Sequence, residues 1–129
     1  SVWGGRQHNL RWSTPATFRN LEHAGLDYDS TLGFADQAGF RCGTCYEFQV
    51  YDVVERKPLK LKERPLIVMD RTILDGRYMN LGANDRALAF VKSLVDACRK
   101  YEGVFTVLWH NSQLVLQEER RLYEEIMAL

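Results

Sequence analysis

The feature that most constrains the fold is a continuous apolar run at residues 66–69, Leu-Ile-Val-Met, placed between Pro65 and Asp70. A short run of this kind, flanked by breaking and charged residues, is typical of a strand that is buried on both faces. Strands buried on both faces belong to parallel sheets that are covered by helices. The run therefore predicts an α/β fold with Asp70 at the carboxyl end of a central strand.

Three segments have apolar residues at helical spacing. They are residues 15–24, a segment that begins at Asn84 and is closed by Gly103, and residues 117–127. In the second segment Asn84 or Asp85 supplies the cap, and basic residues precede the closing glycine, as expected at a helix C-terminus. The sequence thus predicts three helices.

Further strands are predicted around the central one. The candidates are residues 2–8, 27–31 and 104–110, with residues 48–51 as an additional possibility. Strands that alternate with helices indicate β-α-β units and a mostly parallel sheet. Residues 57–64 are charged and contain Pro58, and we interpret them as a solvated loop.

Charge and length limit the classes of partner and compartment. Seventeen Lys and Arg residues balance seventeen Asp and Glu residues, so no basic surface is expected for a nucleic-acid backbone. No apolar run approaches the ~20 residues of a membrane span, and no signal segment is visible. The odd count of three cysteines favours a reducing compartment such as the cytoplasm. We expect residues 1–129 to form a single domain.

Polar residues follow several of the predicted strands. Arg6 and His8 follow the first, Asp29 lies in the second, Asp70 follows the central one, and His110 ends the last. Active sites of parallel α/β folds lie at the carboxyl ends of the strands, where such side chains would converge. These residues therefore form a candidate active site.

Structural roles for the same residues stay open at this point. His110 could be a hydrogen-bonded histidine at a strand end, and Arg6 with Asp29 could form a structural ion pair. Asp70 could cap the turn that follows it. Trp109 could pack in the core instead of stacking on a sugar.

Cys42 and Cys45 have a Cys-x-x-Cys spacing that can bind zinc or act as a dithiol. A structural zinc site needs four ligands, and the remaining Cys98 belongs to the apolar face of a helix. A redox pair would open a helix, but residues 46–51 alternate like a strand. A zinc or thiol site is therefore the least favoured function.

Four motifs together carry a family resemblance. They are RQHNL at residues 6–10, TFxxLxxAG at 17–25, YDSTLG at 28–33 and VLWHN at 107–111. In this order they resemble the middle and the end of NodB-like polysaccharide deacetylases of carbohydrate esterase family 4. The Gly-Phe-Arg-x-Gly-Thr stretch at residues 39–44 resembles a divergent branch of that family.

The resemblance implies a partial (β/α) barrel with mostly parallel strands and covering helices. The implied activity is the metal-dependent removal of acetyl groups from N-acetylated glycans, with a carbohydrate as the substrate. His110 would then be the general acid, Asp29 would stabilise its charged form, and Arg6 would orient an aspartate base that this chain lacks. The implied substrate contacts are His8, Trp109 and Arg41, of which Arg41 could instead hold its own loop.

Two departures qualify these implications. His8 stands where the family usually has proline, and the Asp-Asp and His-x-x-x-His motifs that supply the base and the metal ligands do not occur. The chain therefore looks like the C-terminal part of a larger barrel, and the implied divalent metal, zinc, has no ligands here. The cut edges of a half barrel would expose unpaired strands, so we expect the missing N-terminal half or a second copy to cover them. The alternative is a non-catalytic α/β module that binds a glycan or a protein.

Overall fold

A computed structural model describes residues 1–129 and shows a mixed α/β fold. The six strands are β1 (Gly4–Gly5), β2 (Tyr28–Asp29), β3 (Phe48–Asp52), β4 (Lys57–Glu63), β5 (Val68–Met69) and β6 (Val107–Leu108). The four α-helices are α1 (Ala16–His23), α2 (Asp70–Leu74), α3 (Asp85–Lys100) and α4 (Gln117–Met127). Short 3-10 helices cover His8–Leu10 and Asn111–Leu114.

The strands form two sheets and do not close into a barrel. One sheet has the order β1-β2-β4-β3, and the other consists of β5 and β6. Three of the strand pairs are parallel, and only the β3–β4 hairpin is antiparallel. The expectation of an α/β fold with mostly parallel strands is confirmed.

Strand β4 corrects the interpretation of residues 57–64 as a solvated loop. Leu59, Leu61 and Glu63 are buried, while the residues between them are exposed. This period of two is the signature of a strand with one face in the core. Lys side chains at the alternate positions made the stretch look solvated, although they only mark its outer face.

The long helices agree with the sequence, whereas the predicted central strand at residues 66–69 is a strand only at Val68–Met69 and pairs with β6 alone. The side chain of Asn84 accepts a hydrogen bond from the Arg86 amide and caps α3, and α4 has the predicted bounds. The segment at 104–110 is a strand only at Val107–Leu108, since the Val104 amide bonds to the Cys45 carbonyl instead of a strand partner.

The core consists of two clusters of buried side chains. The larger packs α3 and α4 against β5, and the smaller packs α1 against the β3–β4 hairpin. Polar residues follow β1 and β5 directly, namely Arg6 and Asp70, and His110 lies two residues after β6. The members of the smaller cluster are Phe18, Leu21, Val50, Leu59 and Leu61.

Candidate active site

A cavity of about 310 Å³ lies where the chain leaves β1 and β6. Its lining is formed by residues 6–10, Leu108 and His110. Of the residues singled out from the sequence, Arg6, His8 and His110 therefore share one cavity. Arg6 and His110 are 104 positions apart in the chain. They line the same cavity because each lies just after a strand, β1 for Arg6 and β6 for His110.

The wall of the cavity contains strained backbone. Asn9 and Leu10 have φ values of 57° and 50°. Leucine rarely adopts this left-handed conformation, and the strain costs of order 1 kcal/mol or more. Strained backbone of this kind is concentrated at functional sites, which makes the turn after Arg6 part of the candidate site.

Asp70 is fully buried and holds His110. Its Oδ1 lies 2.7 Å from Nδ1 of His110, and its Oδ2 accepts a hydrogen bond from the His110 backbone amide. The parallel pairing of Met69 with Leu108 in β5 and β6 places the two residues side by side. The carboxylate accepts a hydrogen bond from the Nδ1–H group and so orients the ring, which leaves Nε2 for chemistry in the cavity.

From the sequence we expect Asp29 to stabilise the charged form of His110, whereas the carboxylate in contact with the ring is that of Asp70. Asp29 belongs to β2, and its register partners are Gly5 and Glu63 in the four-stranded sheet. Asp70 reaches His110 because β5 and β6 form a sheet of their own. Asp70 is also the first residue of α2, and its side chain accepts a hydrogen bond from the Arg71 amide at 2.6 Å without capping the helix.

The side chain of Arg6 is held by Ser30, the residue that follows β2. Its Nε donates to the Ser30 carbonyl at 2.7 Å and its Nη2 donates to the Ser30 hydroxyl at 2.8 Å. Burial lowers the pKa of Arg6, and the negative charge of Asp29 opposes that effect. The guanidinium therefore keeps its charge at the cavity with Nη1 free of these bonds.

Glu63 is a buried ionisable residue next to Asp29 that sequence reasoning missed. It is fully buried, and burial raises its pKa to about 8, with the charge of Asp29 as the next cause. The only sequence signal was its place in the alternation of β4, two residues after Leu61. A glutamate at a core position of a strand is a candidate for a functional or structural ionisable group.

Arg41 and Trp109 do not line the cavity. Arg41 donates to the Gly33 carbonyl at 2.9 Å, which is the loop-holding role left open above. The Trp109 indole donates to the Gln113 carbonyl at 3.2 Å and packs against the ring of Tyr123, with the ring centroids 5.4 Å apart. Both side chains are engaged within the fold, so the predicted substrate contact is left to His8.

The cysteines are free thiols. Burial raises the pKa of Cys42 to about 11 and that of Cys98 to about 12. Cys45 lies beside Cys98 in the core instead of forming a site with Cys42. Protonated thiols are poor nucleophiles and poor metal ligands, so these data disfavour a thiol site.

Comparisons of this chain with protein-family models, with curated proteins and with solved structures found no match. Among the helices, none combines the length and the apolar character needed to cross a bilayer.

Proposed function

We propose that this chain is the C-terminal part of a polysaccharide deacetylase-like hydrolase of the NodB type, which cleaves the acetamide of N-acetylated glycans. The observation that carries the proposal is the His110–Asp70 pair at a cavity that is also lined by Arg6 and His8. The motif resemblance of the sequence supplies the substrate class.

His110 acts as the general acid in this proposal. Hydrolysis adds water to the acetamide carbonyl carbon, and collapse of the tetrahedral intermediate breaks the C–N bond and releases acetate and a sugar amine. The amine nitrogen must gain a proton as it leaves, and Nε2 of His110 donates it. The Asp70 carboxylate stabilises the imidazolium form that precedes this step.

Arg6 and His8 bind and orient in the proposed site. The side chain of Arg6 is held by Ser30, and its free Nη1 can donate to a carboxylate or to a glycan oxygen. His8 is exposed at the same cavity and can donate a hydrogen bond to a sugar hydroxyl. The base that takes a proton from water is an aspartate outside this chain in the proposal.

The residues of this chain do not fit the divalent metal that the resemblance implies. No group of three or more His, Cys, Asp or Glu side chains is arranged to hold an ion. A metal would therefore need ligands from another part of the protein, as the proposal of a missing half requires.

Isothermal titration calorimetry with an N-acetylglucosamine oligomer tests the proposal. Binding should weaken several-fold in the His8→Ala variant and should be unchanged in His23→Ala, whose histidine lies on α1 away from the cavity. The fully deacetylated oligomer should bind more weakly than the acetylated one. Equal binding of both variants and both oligomers would contradict the proposal.

A non-catalytic glycan-binding module is the second candidate, and the lack of a metal-ligand group favours it. Acetate release, measured with divalent metals added and with the complete barrel if a longer chain is isolated, separates the two functions. In a hydrolase the His110→Ala change should lower the rate about 10²- to 10⁴-fold. A module would bind the glycan without acetate release and would keep its affinity in that variant.

A further inference from the structure

Three ionisable residues lie side by side at the carboxyl ends of three neighbouring parallel strands. Arg6 follows β1, Asp29 ends β2 and Glu63 ends β4. In the register of the sheet, Asp29 pairs with Gly5 on one side and with Glu63 on the other. Both carboxyl groups are completely removed from solvent.

Each carboxyl group has one satisfied and one unsatisfied oxygen. The Thr31 hydroxyl donates to Oδ1 of Asp29 at 2.6 Å, and the Leu32 amide donates to Oε1 of Glu63 at 3.1 Å. The other oxygens, Oδ2 of Asp29 and Oε2 of Glu63, are buried without a donor from any other group. Two ionised carboxylates in this arrangement would leave two buried acceptors unpaired and two negative charges adjacent, which is costly.

A single proton shared by the two carboxyl groups would remove both the unpaired acceptors and the adjacent negative charges. Asp29 and Glu63 are register partners on adjacent strands about 4.8 Å apart, so their side chains stand next to each other on one face of the sheet. A proton on Oε2 of Glu63 would turn this oxygen into a donor, and Oδ2 of Asp29 would accept from it. Both unsatisfied oxygens would then be paired by a single hydrogen bond.

We propose that Glu63 keeps its proton in the folded protein and donates a hydrogen bond to Asp29, so that the pair carries one negative charge that helps to position Arg6 at the cavity. With one carboxylate and one guanidinium the cluster is neutral. A doubly ionised pair would carry an excess negative charge beside Arg6. Glu63 is thus a positioning residue. The inference rests on the proposed function only for the role of Arg6 in binding and orientation.

The groups that face Glu63 are consistent with this charge state. The negative charge of Asp29 and burial both favour the protonated form of Glu63, while the positive charge of Arg6 from β1 opposes it. Cys42, from the loop before β3, is the other titratable group near Glu63, and it is protonated because its pKa is raised to about 11. No second cation reaches the pair to stabilise two negative charges.

Carbon-13 NMR of the glutamate side-chain carboxyls in the whole chain tests the proposal. One glutamate should show the chemical shift of a protonated carboxyl group at neutral pH, and this signal should vanish in the Glu63→Gln variant. It should persist in Glu124→Gln, which removes an exposed glutamate of α4. In Asp29→Asn the Glu63 signal should titrate at lower pH, because the neighbouring negative charge is gone.

A wild-type spectrum in which every glutamate is ionised at neutral pH would overturn the proposal. This test uses the wild-type protein alone and does not depend on the folding of any variant. An unchanged Glu63 titration in Asp29→Asn would overturn the role of Asp29. Neither result depends on a glycan, so failure here is distinct from failure of the proposed hydrolase.

Discussion

Replacing Glu63 by Gln should remove the part of the pH dependence of the unfolding free energy that comes from the titration of Glu63. The pKa of Glu63 rises from 4.5 to about 8 on folding, so its contribution to stability is fully present below about pH 4.5 and is lost as the pH rises through about 8. In this window the folded state holds a proton that the unfolded state has released. Stability therefore falls with rising pH, by at most about 1.4 kcal/mol per pH unit.

The loss between about pH 5 and about pH 7.5 amounts to about 3 kcal/mol from this one group. Gln reproduces the protonated acid, because its Oε1 can accept from the Leu32 amide and its Nε2 can donate to Asp29. The variant should therefore fold, and its stability should lack this component.

Urea unfolding followed by circular dichroism at several pH values measures the effect. With a slope of about 1–3 kcal/mol per molar urea, the wild-type midpoint should fall by about 1–3 M relative to that of Glu63→Gln across the window. Glu124→Gln is the matched control and should follow the wild type. Parallel curves for wild type and Glu63→Gln would show that Glu63 is ionised in the folded chain and would refute the reasoning.

Three further predictions concern the core, the histidine pair and the thiols. Leu61→Ala should cost about 2–5 kcal/mol in urea unfolding, since Leu61 is fully buried in β4, whereas Leu116→Ala at an exposed position should cost less than about 1 kcal/mol; a small loss at Leu61 would mean that this segment is not a core strand. Asp70→Asn should shift the imidazole NMR signals of His110, because the hydrogen bond from Nδ1 to a charged carboxylate is replaced by one to a neutral amide; unchanged His110 signals would show that the two side chains are not hydrogen-bonded. Cys42 should react with iodoacetamide roughly a hundredfold more slowly than a free thiol at neutral pH, because its pKa rises from 9.0 to about 11, and fast labelling would contradict its burial beside Glu63.

The helices could be predicted from sequence because their signals are local. The side chain of Asn84 and the apolar spacing behind it specify α3 without reference to other elements. The buried run at residues 66–69 was equally clear. These features depend on neighbours within a few positions, which a single sequence displays.

The pairing of site residues could not be predicted because it depends on which strands are neighbours. Asp70 contacts His110 because β5 pairs with β6. Glu63 lies beside Asp29 because β4 is the neighbour of β2 in the sheet. Residues 57–64 do carry a local signal, the alternation of β4, but the lysines on its outer face and Pro58 are equally typical of a solvated loop. Once β4 is seen as a strand, the buried position of Glu63 follows from the period of two.

The most direct test of the central claim is the response of the His110 imidazole to an N-acetylated glycan. Nitrogen-15 NMR of the imidazole rings should show the Nε2 signal of His110 shifting as an N-acetylglucosamine oligomer is added, with Nδ1 still protonated toward Asp70. The signals of His23, on the outer face of α1, should stay in place. Binding of the glycan without a shift of the His110 signals would contradict the assignment of this cavity as a deacetylase-like site. Absence of glycan binding would contradict it as well.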